Sequence, residues 1–236
     1  MSETVQIDDL SIEIRRSKRR KHAALTIERD GSVVMAVPDN LPTDEITRII
    51  RAKQVWIYTA LDRKEETLKG SPAKEYVSGE GFFFLGRKYR LKVIRPDASK
   101  EAVENLTLKN ETFFMPSSLV KEGRQQFVRW YTDQAAEWIG KRLRAFKTRV
   151  AAEPKSLEIR DLGYRWASCT GKGKMFFHWR SILIPPAHLD YLILHELVHL
   201  HEHNHGPAFY ERLHRACPDY KAHEDWLRRN GSLYTL

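Results

Sequence analysis

The sequence predicts an α+β fold, and three observations support this class. Apolar and polar residues alternate in much of the first half, as at residues 12–14 and 25–27, and such alternation is typical of half-buried strands. Residues 127–150 instead repeat apolar side chains at helical spacing. Residues 192–200 are apolar almost throughout, which is typical of a buried helix. Strands are therefore expected at the front of the chain and helices at its back.

The front of the chain is predicted to hold three strands followed by one helix. The strands cover residues 12–14, 25–27 and 33–37, with a turn at residues 30–31 before the third. A helix is predicted over residues 43–63, because a threonine N-cap and two acidic residues open a segment with apolar residues at helical spacing.

A second strand-rich block, the long helix and a mixed segment complete the chain. Two strand pairs are predicted around the turns at Gly86 and Asn110, after a polar linker over residues 64–73. The long helix is expected to end before Pro154. Three short strands and three helices should follow. The predicted strands cover residues 157–159, 163–168 and 175–184, with a turn at residues 171–173.

This order predicts two regions without an internal repeat. Residues 1–117 form a strand-rich region with one helix, and residues 118–236 form a helical region with a small sheet. The boundary shifts if the front hairpins pack directly on the long helix.

Composition excludes several classes of protein. The chain has 236 residues, of which 42% are hydrophobic, so it can bury a real core. Two cysteines exclude a disulfide framework. The absence of a long apolar run and of an N-terminal apolar segment argues against a membrane helix and a signal peptide, so the expected location is the cytoplasm. The net charge of +9 suits either an ordinary solvated surface or an anionic partner such as a nucleotide or nucleic acid. The densest basic run, residues 15–21, is predicted to form part of a hairpin.

His195, Glu196 and His199 stand in an otherwise apolar segment. Burying two imidazoles and a carboxylate is costly unless they have partners, and one metal ion can serve all three. Residues four apart share one helix face, so both histidines can bind the same zinc ion. Glu196 is offset toward the open coordination position and can take a proton from zinc-activated water, as in other H-E-x-x-H hydrolases. The sequence therefore predicts one zinc ion per chain.

A third ligand has to come from the residues that follow. On an unbroken helix none of the nearby histidines or Glu202 would reach the metal. Asn204 and Gly206 tolerate left-handed conformations and Pro207 can open a new helix, so a sharp turn there would bring His205 back. His205 is therefore favoured. The alternatives are His201, Glu202, His203 and His214.

Several segments resemble the YgjP-like metallopeptidases, relatives of the SprT-like and WLM proteins. Residues 195–209 are similar to the signature of that family, and residues 164–169 to its R-W-G-S-C strand, with Ala167 in place of the glycine. Residues 179–186 and 16–20 also match. The resemblance spans residues 12–230. It implies a zincin-like core in which His195, His199 and His205 bind zinc and Glu196 is the catalytic base.

The strand before the metal motif has two interpretations. Arg165, Trp166 and Ser168 can line a cleft and bind an extended peptide or protein substrate by strand addition. Alternatively, Trp166 belongs to the core and Arg165 to a structural ion pair. Cys169 is expected to be a small packed residue, since the metal already supplies the nucleophile.

The predicted function is peptide-bond hydrolysis by a zinc-activated water with Glu196 as general base. The group that stabilises the oxyanion is left open among Tyr164, Arg165, Tyr210 and His214. One alternative keeps the metal but cleaves a phosphoanhydride or phosphoester, for example in a nucleotide. A second is a nucleic-acid-associated protein that uses the basic segment at residues 15–21.

Overall fold

The computed structural model describes residues 3–8, 10–28, 31–69, 74–95, 103–163 and 165–236. The chain divides into two compact units, Met1–Pro72 and Ala73–Leu236. Both contain strands and helices, which confirms the α+β class. Among the described residues, no helix combines the length and the apolar character needed to cross a membrane.

The first unit is a four-stranded sheet followed by a helix. The sheet has the order β1-β2-β4-β3, with β2 parallel to β4 and the two outer pairs antiparallel. Aliphatic side chains of the sheet, including Ile12, Ile14 and Met35, are fully buried together with Ile46 and Ile50 of the helix. The elements are β1 (Glu3–Ile7), β2 (Leu10–Ser17), β3 (Ala24–Ile27), β4 (Val33–Pro38) and α1 (Thr43–Lys69).

The predicted strands and helix of this unit are confirmed, but the hairpin predicted for the basic run is wrong. Strands β2 and β3 do not pair with each other, because both lie against β4. The other side of β2 pairs with β1, which the sequence did not predict. Arg15 forms ion pairs with Glu13 and Glu28, and Arg16 pairs with Glu3. Residues 18–21 are exposed in the connection between β2 and β3.

The second unit begins with another four-stranded sheet and a long helix. The sheet order is β5-β6-β8-β7, with β6 parallel to β8 and the outer pairs antiparallel. Its buried residues are largely aromatic: the rings of Phe82 and Phe127 stack with centroids 3.9 Å apart, and Phe113 and Tyr131 adjoin them. The elements are β5 (Gly81–Phe84), β6 (Arg87–Ile94), β7 (Thr107–Lys109), β8 (Thr112–Pro116) and α2 (Gly123–Val150).

A small sheet and three helices complete the second unit. The sheet order is β10-β11-β9, so β10 is an edge strand. The strand predicted over residues 175–184 is shorter than expected: it ends at His178, where Trp179–Leu183 turns into a 3₁₀ helix and the His178 ring accepts a hydrogen bond from the Arg180 backbone. The strand predicted over residues 163–168 is likewise only Ala167–Cys169. The elements are β9 (Ser156–Arg160), β10 (Ala167–Cys169), β11 (Lys174–His178), α3 (Pro186–Val198), α4 (Pro207–Ala216) and α5 (Tyr220–Asn230).

The compact units divide at a different place from the boundary predicted near residue 118. Phe82 and Phe113 of the second sheet share one core with Phe127 of α2 and with buried residues of α3. The front hairpins of this unit thus pack directly on the long helix, which was the condition for moving the boundary.

The turn between β5 and β6 is hydrogen-bonded to the segment just before α3. The backbone N–H groups of Leu85 and Gly86 donate to the carbonyl oxygens of Ile182 and Leu183, at 2.8 and 2.9 Å. Gly86 has a φ of +79°, and a Cβ there would lie 2.7 Å from the Pro185 side chain. Glycine is therefore required for both its conformation and its contact. Helix α3 begins one residue later, at Pro186.

Candidate metal centre

Helix α3 places His195 and Glu196 next to each other in the core. The helix opens with Pro186, which suits a first helical position, and its apolar residues are buried on several sides. His199 follows as the C-terminal cap residue, one turn after His195, so the two imidazoles lie on the same face with ring centroids 5.0 Å apart.

A turn after the helix brings His205 back to His195. The backbone N–H groups of His201 and Glu202 both donate to the Val198 carbonyl, which ends the helix. The Glu202 carboxylate then accepts a hydrogen bond from Arg212 of α4, at 3.2 Å. The Nε2 atoms of His205 and His195 are 3.0 Å apart.

The three histidines form one compact cluster, called here the histidine centre. One ring nitrogen from each of His195, His199 and His205 lies within 4.8 Å of those of the others. The Phe209 ring packs against all three imidazoles, with centroid distances of 5.0, 4.6 and 4.5 Å. A phenyl ring at the base of the cluster limits the directions that the imidazoles can adopt.

The outward ring nitrogens of two histidines already have partners. His199 Nδ1 donates to the Glu202 carbonyl oxygen at 3.0 Å. His195 Nδ1 lies 3.5 Å from the hydroxyl of Tyr191, one helical turn earlier. Such contacts to the second nitrogen orient metal-binding imidazoles in proteins, and here they leave both Nε2 atoms for the centre. The sequence reasoning missed Tyr191, although its spacing of four residues from His195 was a usable signal.

Burial favours the uncharged form of His195 and His199. Desolvation, with the neighbouring His199 and His205, lowers the pKa of His195 to about 3. The pKa of His199 is also lowered, first by desolvation. Neutral imidazoles have a free lone pair, which is the form that binds metals.

Glu196 is a buried carboxyl with one unsatisfied atom. Burial raises its pKa to about 8, against the opposing effects of the Arg165 charge and a hydrogen bond from the Cys169 backbone. Its Oε2 atom has no hydrogen-bond partner among the residues that the structure describes. An orphaned carboxylate oxygen beside three lone-pair nitrogens fits a divalent cation and its water.

The histidine centre opens into a cleft with a volume of about 430 Å³. Strand β10 forms one wall, and His203 and Gly171 lie at its rim. Because β10 is an edge strand, one side of its backbone can pair with an extended chain. The cleft therefore combines a metal-binding cluster, a buried carboxyl and a strand edge.

The predicted substrate residues lie in different places. Ser168 lines the cleft. Arg165 is exposed, and its charge acts on Glu196. Trp166 packs against the core and Gly231, with the Arg180 guanidinium 5.3 Å from its ring centre. This packing is the core alternative considered for Trp166. Cys169 also lines the cleft, and burial raises the pKa of its thiol to about 11, which argues against a nucleophile.

The residues considered for the oxyanion also lie in different places. Tyr210 is 39% exposed, with its ring 6.2 Å from that of His205. His214 faces Tyr220 instead and is not among the residues that line the cleft. Tyr164 lies outside the described residues.

Comparison with known proteins gives one match. A family model described as YgjP-like, metallopeptidase domain, matches residues 21–230. No curated protein and no solved structure matches the chain. The family supports a metal ion as cofactor and a zincin-like α+β core with metal-dependent peptidase activity in general. The matched segment covers most of the chain and includes the whole histidine centre, so this chain belongs to the YgjP-like metallopeptidase family.

Proposed function

We propose that this chain is a zinc-dependent peptidase in which His195, His199 and His205 bind the metal and Glu196 is the general base. The observation that carries the proposal is a cluster of three imidazoles that lines one cleft together with the buried carboxyl of Glu196. Three nitrogen donors with one open position are the usual arrangement of a catalytic zinc ion. The peptidase substrate follows from the family.

The side chains divide the chemistry between them. When bound, a zinc ion supplies Lewis acidity that acidifies a water molecule and polarises a carbonyl. A cation beside Glu196 favours its charged form, so the carboxylate can accept the proton of the attacking water and pass it to the leaving amine. Tyr191 and the Glu202 carbonyl hold His195 and His199 in the ligating orientation.

The edge strand β10 is the proposed substrate platform. An extended peptide can add to its free side by main-chain hydrogen bonds, next to Ser168 and in reach of Glu196. Arg165 is proposed to stabilise charge at the same end of the cleft, because its field already reaches the Glu196 carboxyl. Trp166 is proposed to support this strand from the core side.

The test combines metal content with turnover of an unfolded protein substrate. We expect His199→Ala to lose one zinc equivalent per chain, as measured by elemental analysis. Glu196→Gln should keep that zinc but cut hydrolysis by about 10²–10⁴-fold. His214→Ala is the matched control, because this histidine does not line the cleft, and it should change neither quantity. Zinc content unaffected by His199→Ala would overturn the metal assignment.

The same variants separate the two alternatives. Nucleotide hydrolysis that depends on Glu196, without turnover of any peptide, would replace the peptidase proposal by a phosphoanhydride or phosphoester hydrolase. Salt-dependent nucleic-acid binding that is lost on neutralising residues 18–21, and unchanged in Glu196→Gln, would instead support the nucleic-acid-associated protein.

A further inference from the structure

Cys217, Asp219 and His223 form a second group of metal-binding side chains, called here the α5 cluster. One sulfur, one carboxylate oxygen and one ring nitrogen lie within 4.8 Å of one another. Cys217 directly follows α4, Asp219 directly precedes α5, and His223 lies one turn into that helix. The cluster therefore sits where two helices meet, and none of its residues lines the cleft at the histidine centre.

The separations suit a tetrahedral metal ion. Cys217 Sγ is 3.4 Å from Asp219 Oδ1, and His223 Nε2 is 3.2 Å from Asp219 Oδ2. Around tetrahedral zinc, bonds of about 2.3 Å to sulfur and about 2.0–2.1 Å to nitrogen or oxygen imply ligand separations of about 3.5 and about 3.3 Å. The two contacts use different oxygens of Asp219, and all three ligand atoms lie within 4.8 Å of one another, so the side chains have to draw together around the ion.

The Asp219 side chain does not perform the role expected at its position. Aspartate at a helix N-cap usually accepts a hydrogen bond from a backbone N–H of the first turn. Asp219 occupies the N-cap of α5 but makes no such side-chain bond. Its carboxylate faces Cys217 and His223 instead, which orients it as a ligand of the cluster.

His223 is held with one nitrogen directed at Asp219. Its Nδ1 lies 2.9 Å from Nδ1 of His188, and the ring of His188 stacks on Trp226 at 3.8 Å. The Tyr191 ring stacks on His223 with centroids 5.7 Å apart. Ligating histidines typically engage their second nitrogen in this way, so Nε2 of His223 is oriented for a metal ion.

We propose that Cys217, Asp219 and His223 bind a second zinc ion, with a water molecule as the fourth ligand, and that this ion ties α4 to α5. Thiolate, imidazole and carboxylate together favour zinc over harder cations such as Mg²⁺. Binding releases the thiol proton, which in the metal-free protein is donated to Asp219. The proposal does not depend on peptidase activity.

Cobalt substitution tests the α5 cluster directly. Metal-free protein titrated with Co²⁺ should bind two ions per chain and develop a thiolate-to-cobalt charge-transfer band, which imidazole and carboxylate ligands cannot produce. Cys217→Ser should abolish the band and leave one bound ion. Cys169→Ser is the matched control, because this cysteine lines the histidine centre instead, and it should keep the band.

Two further variants make the result unambiguous. Asp219→Asn changes a largely exposed side chain, so it preserves folding and should weaken binding of the second ion by at least tenfold. His199→Ala should remove the other ion and keep the band. A band that is absent, or lost only in Cys169→Ser, would overturn the α5 site. If the wild-type protein develops the band but binds only one Co²⁺ ion, and His199→Ala does not change that number, the result would instead contradict the histidine centre.

Discussion

The two four-stranded sheets of this protein have the same topology but different surroundings. In both, a central parallel pair is flanked by antiparallel strands, in the orders β1-β2-β4-β3 and β5-β6-β8-β7. Each sheet is followed by a long helix, of 27 residues in α1 and 28 in α2. No sequence repeat accompanies this structural repeat. The first sheet packs aliphatic residues against its helix, and the second packs aromatic ones.

The two units differ in the further contacts of the long helix that follows each sheet, because α2 also contacts the segment that carries the metal motif. Helix α2 is joined to α3 by the Arg142–Asp190 ion pair, and its Val150 carbonyl accepts a hydrogen bond from His201 just after the metal motif. Among the described residues, the same strand order thus occurs with a metal-binding cluster in the second unit and without one in the first. Topology alone does not create the site; in the second unit α2 also contacts α3 and the segment that follows it.

Removing a large side chain from the core of either unit should give the largest changes in unfolding free energy. The zinc content of each variant then shows whether damage to that core reaches the histidine centre. Phe127→Ala deletes a fully buried ring of α2 and should cost about 3–5 kcal/mol of unfolding free energy, with loss of bound zinc. Ile50→Ala in α1 should cost about 2–5 kcal/mol but leave the zinc content unchanged. Urea denaturation and elemental analysis measure both. Equal zinc loss in the two variants would contradict the comparison.

Thiol labelling tests how well the second unit shields its side chains, because both cysteines lie in that unit. Burial raises the pKa of Cys169 to about 11, so less thiolate is present at any lower pH. In metal-free Cys217→Ser, iodoacetamide should label Cys169 about 100-fold more slowly at pH 8 than a thiol of ordinary pKa. The rate should keep rising through pH 10, as followed by mass spectrometry. A rate that is half-maximal at about pH 8.5, as expected for the urea-unfolded control, would mean that the thiol is not shielded.

Two glycines with positive φ offer a matched pair of substitutions, one in each unit. Gly86→Ala places a Cβ against Pro185, in addition to the unfavourable φ, and should cost about 2–4 kcal/mol. Gly31→Ala has a φ of +94° but no atom within 4 Å of the added Cβ, so about 1 kcal/mol is expected. Thermal unfolding gives both values. Similar costs would show that the Pro185 contact is unimportant.

Substitutions that remove ion pairs should produce the smallest changes in unfolding free energy. Asp190→Asn removes the partner of a half-buried bidentate pair between α2 and α3 and should cost about 1 kcal/mol or less. Arg15→Gln removes an exposed pair of the first sheet and should not change stability measurably. A double-mutant cycle between Arg142 and Asp190 isolates the pair energy. A coupling energy of zero would mean that this ion pair does not stabilise the packing of α2 against α3.

Local patterns were sufficient for most of the elements and for two of the histidines, although they missed β1 and gave two strands that were too long. The helical spacing that predicted α2 corresponds to buried Phe127, Tyr131 and Ile139. The four-residue spacing of His195 and His199 put both rings on one face, because a helix has a single geometry. These inferences needed only neighbours in the sequence.

Features that depend on distant contacts could not be predicted in the same way. The approach of His205 was inferred from residues that tolerate left-handed conformations, but Gly206 is extended, with a φ of −85°, and the segment also pairs with α4 through Glu202 and Arg212. Strand order needed knowledge of which edge of β2 is occupied. The packing of Trp166 against Gly231 joins residues far apart in the chain. The α5 cluster had a local signal, the spacing C-x-D-x₃-H, but such short patterns occur often by chance.

The attachment of the β5–β6 turn to the segment before α3 has a consequence for evolution and protein engineering. A helix whose preceding segment is held by a distant hairpin cannot be transplanted with its metal motif alone, and a fragment that begins at residue 118 would leave this support behind. Insertions between Trp179 and Pro185 should therefore be tolerated only when the hairpin changes length with them. The smallest transferable unit of this family member is expected to start before Gly81, at the hairpin, and not at the long helix.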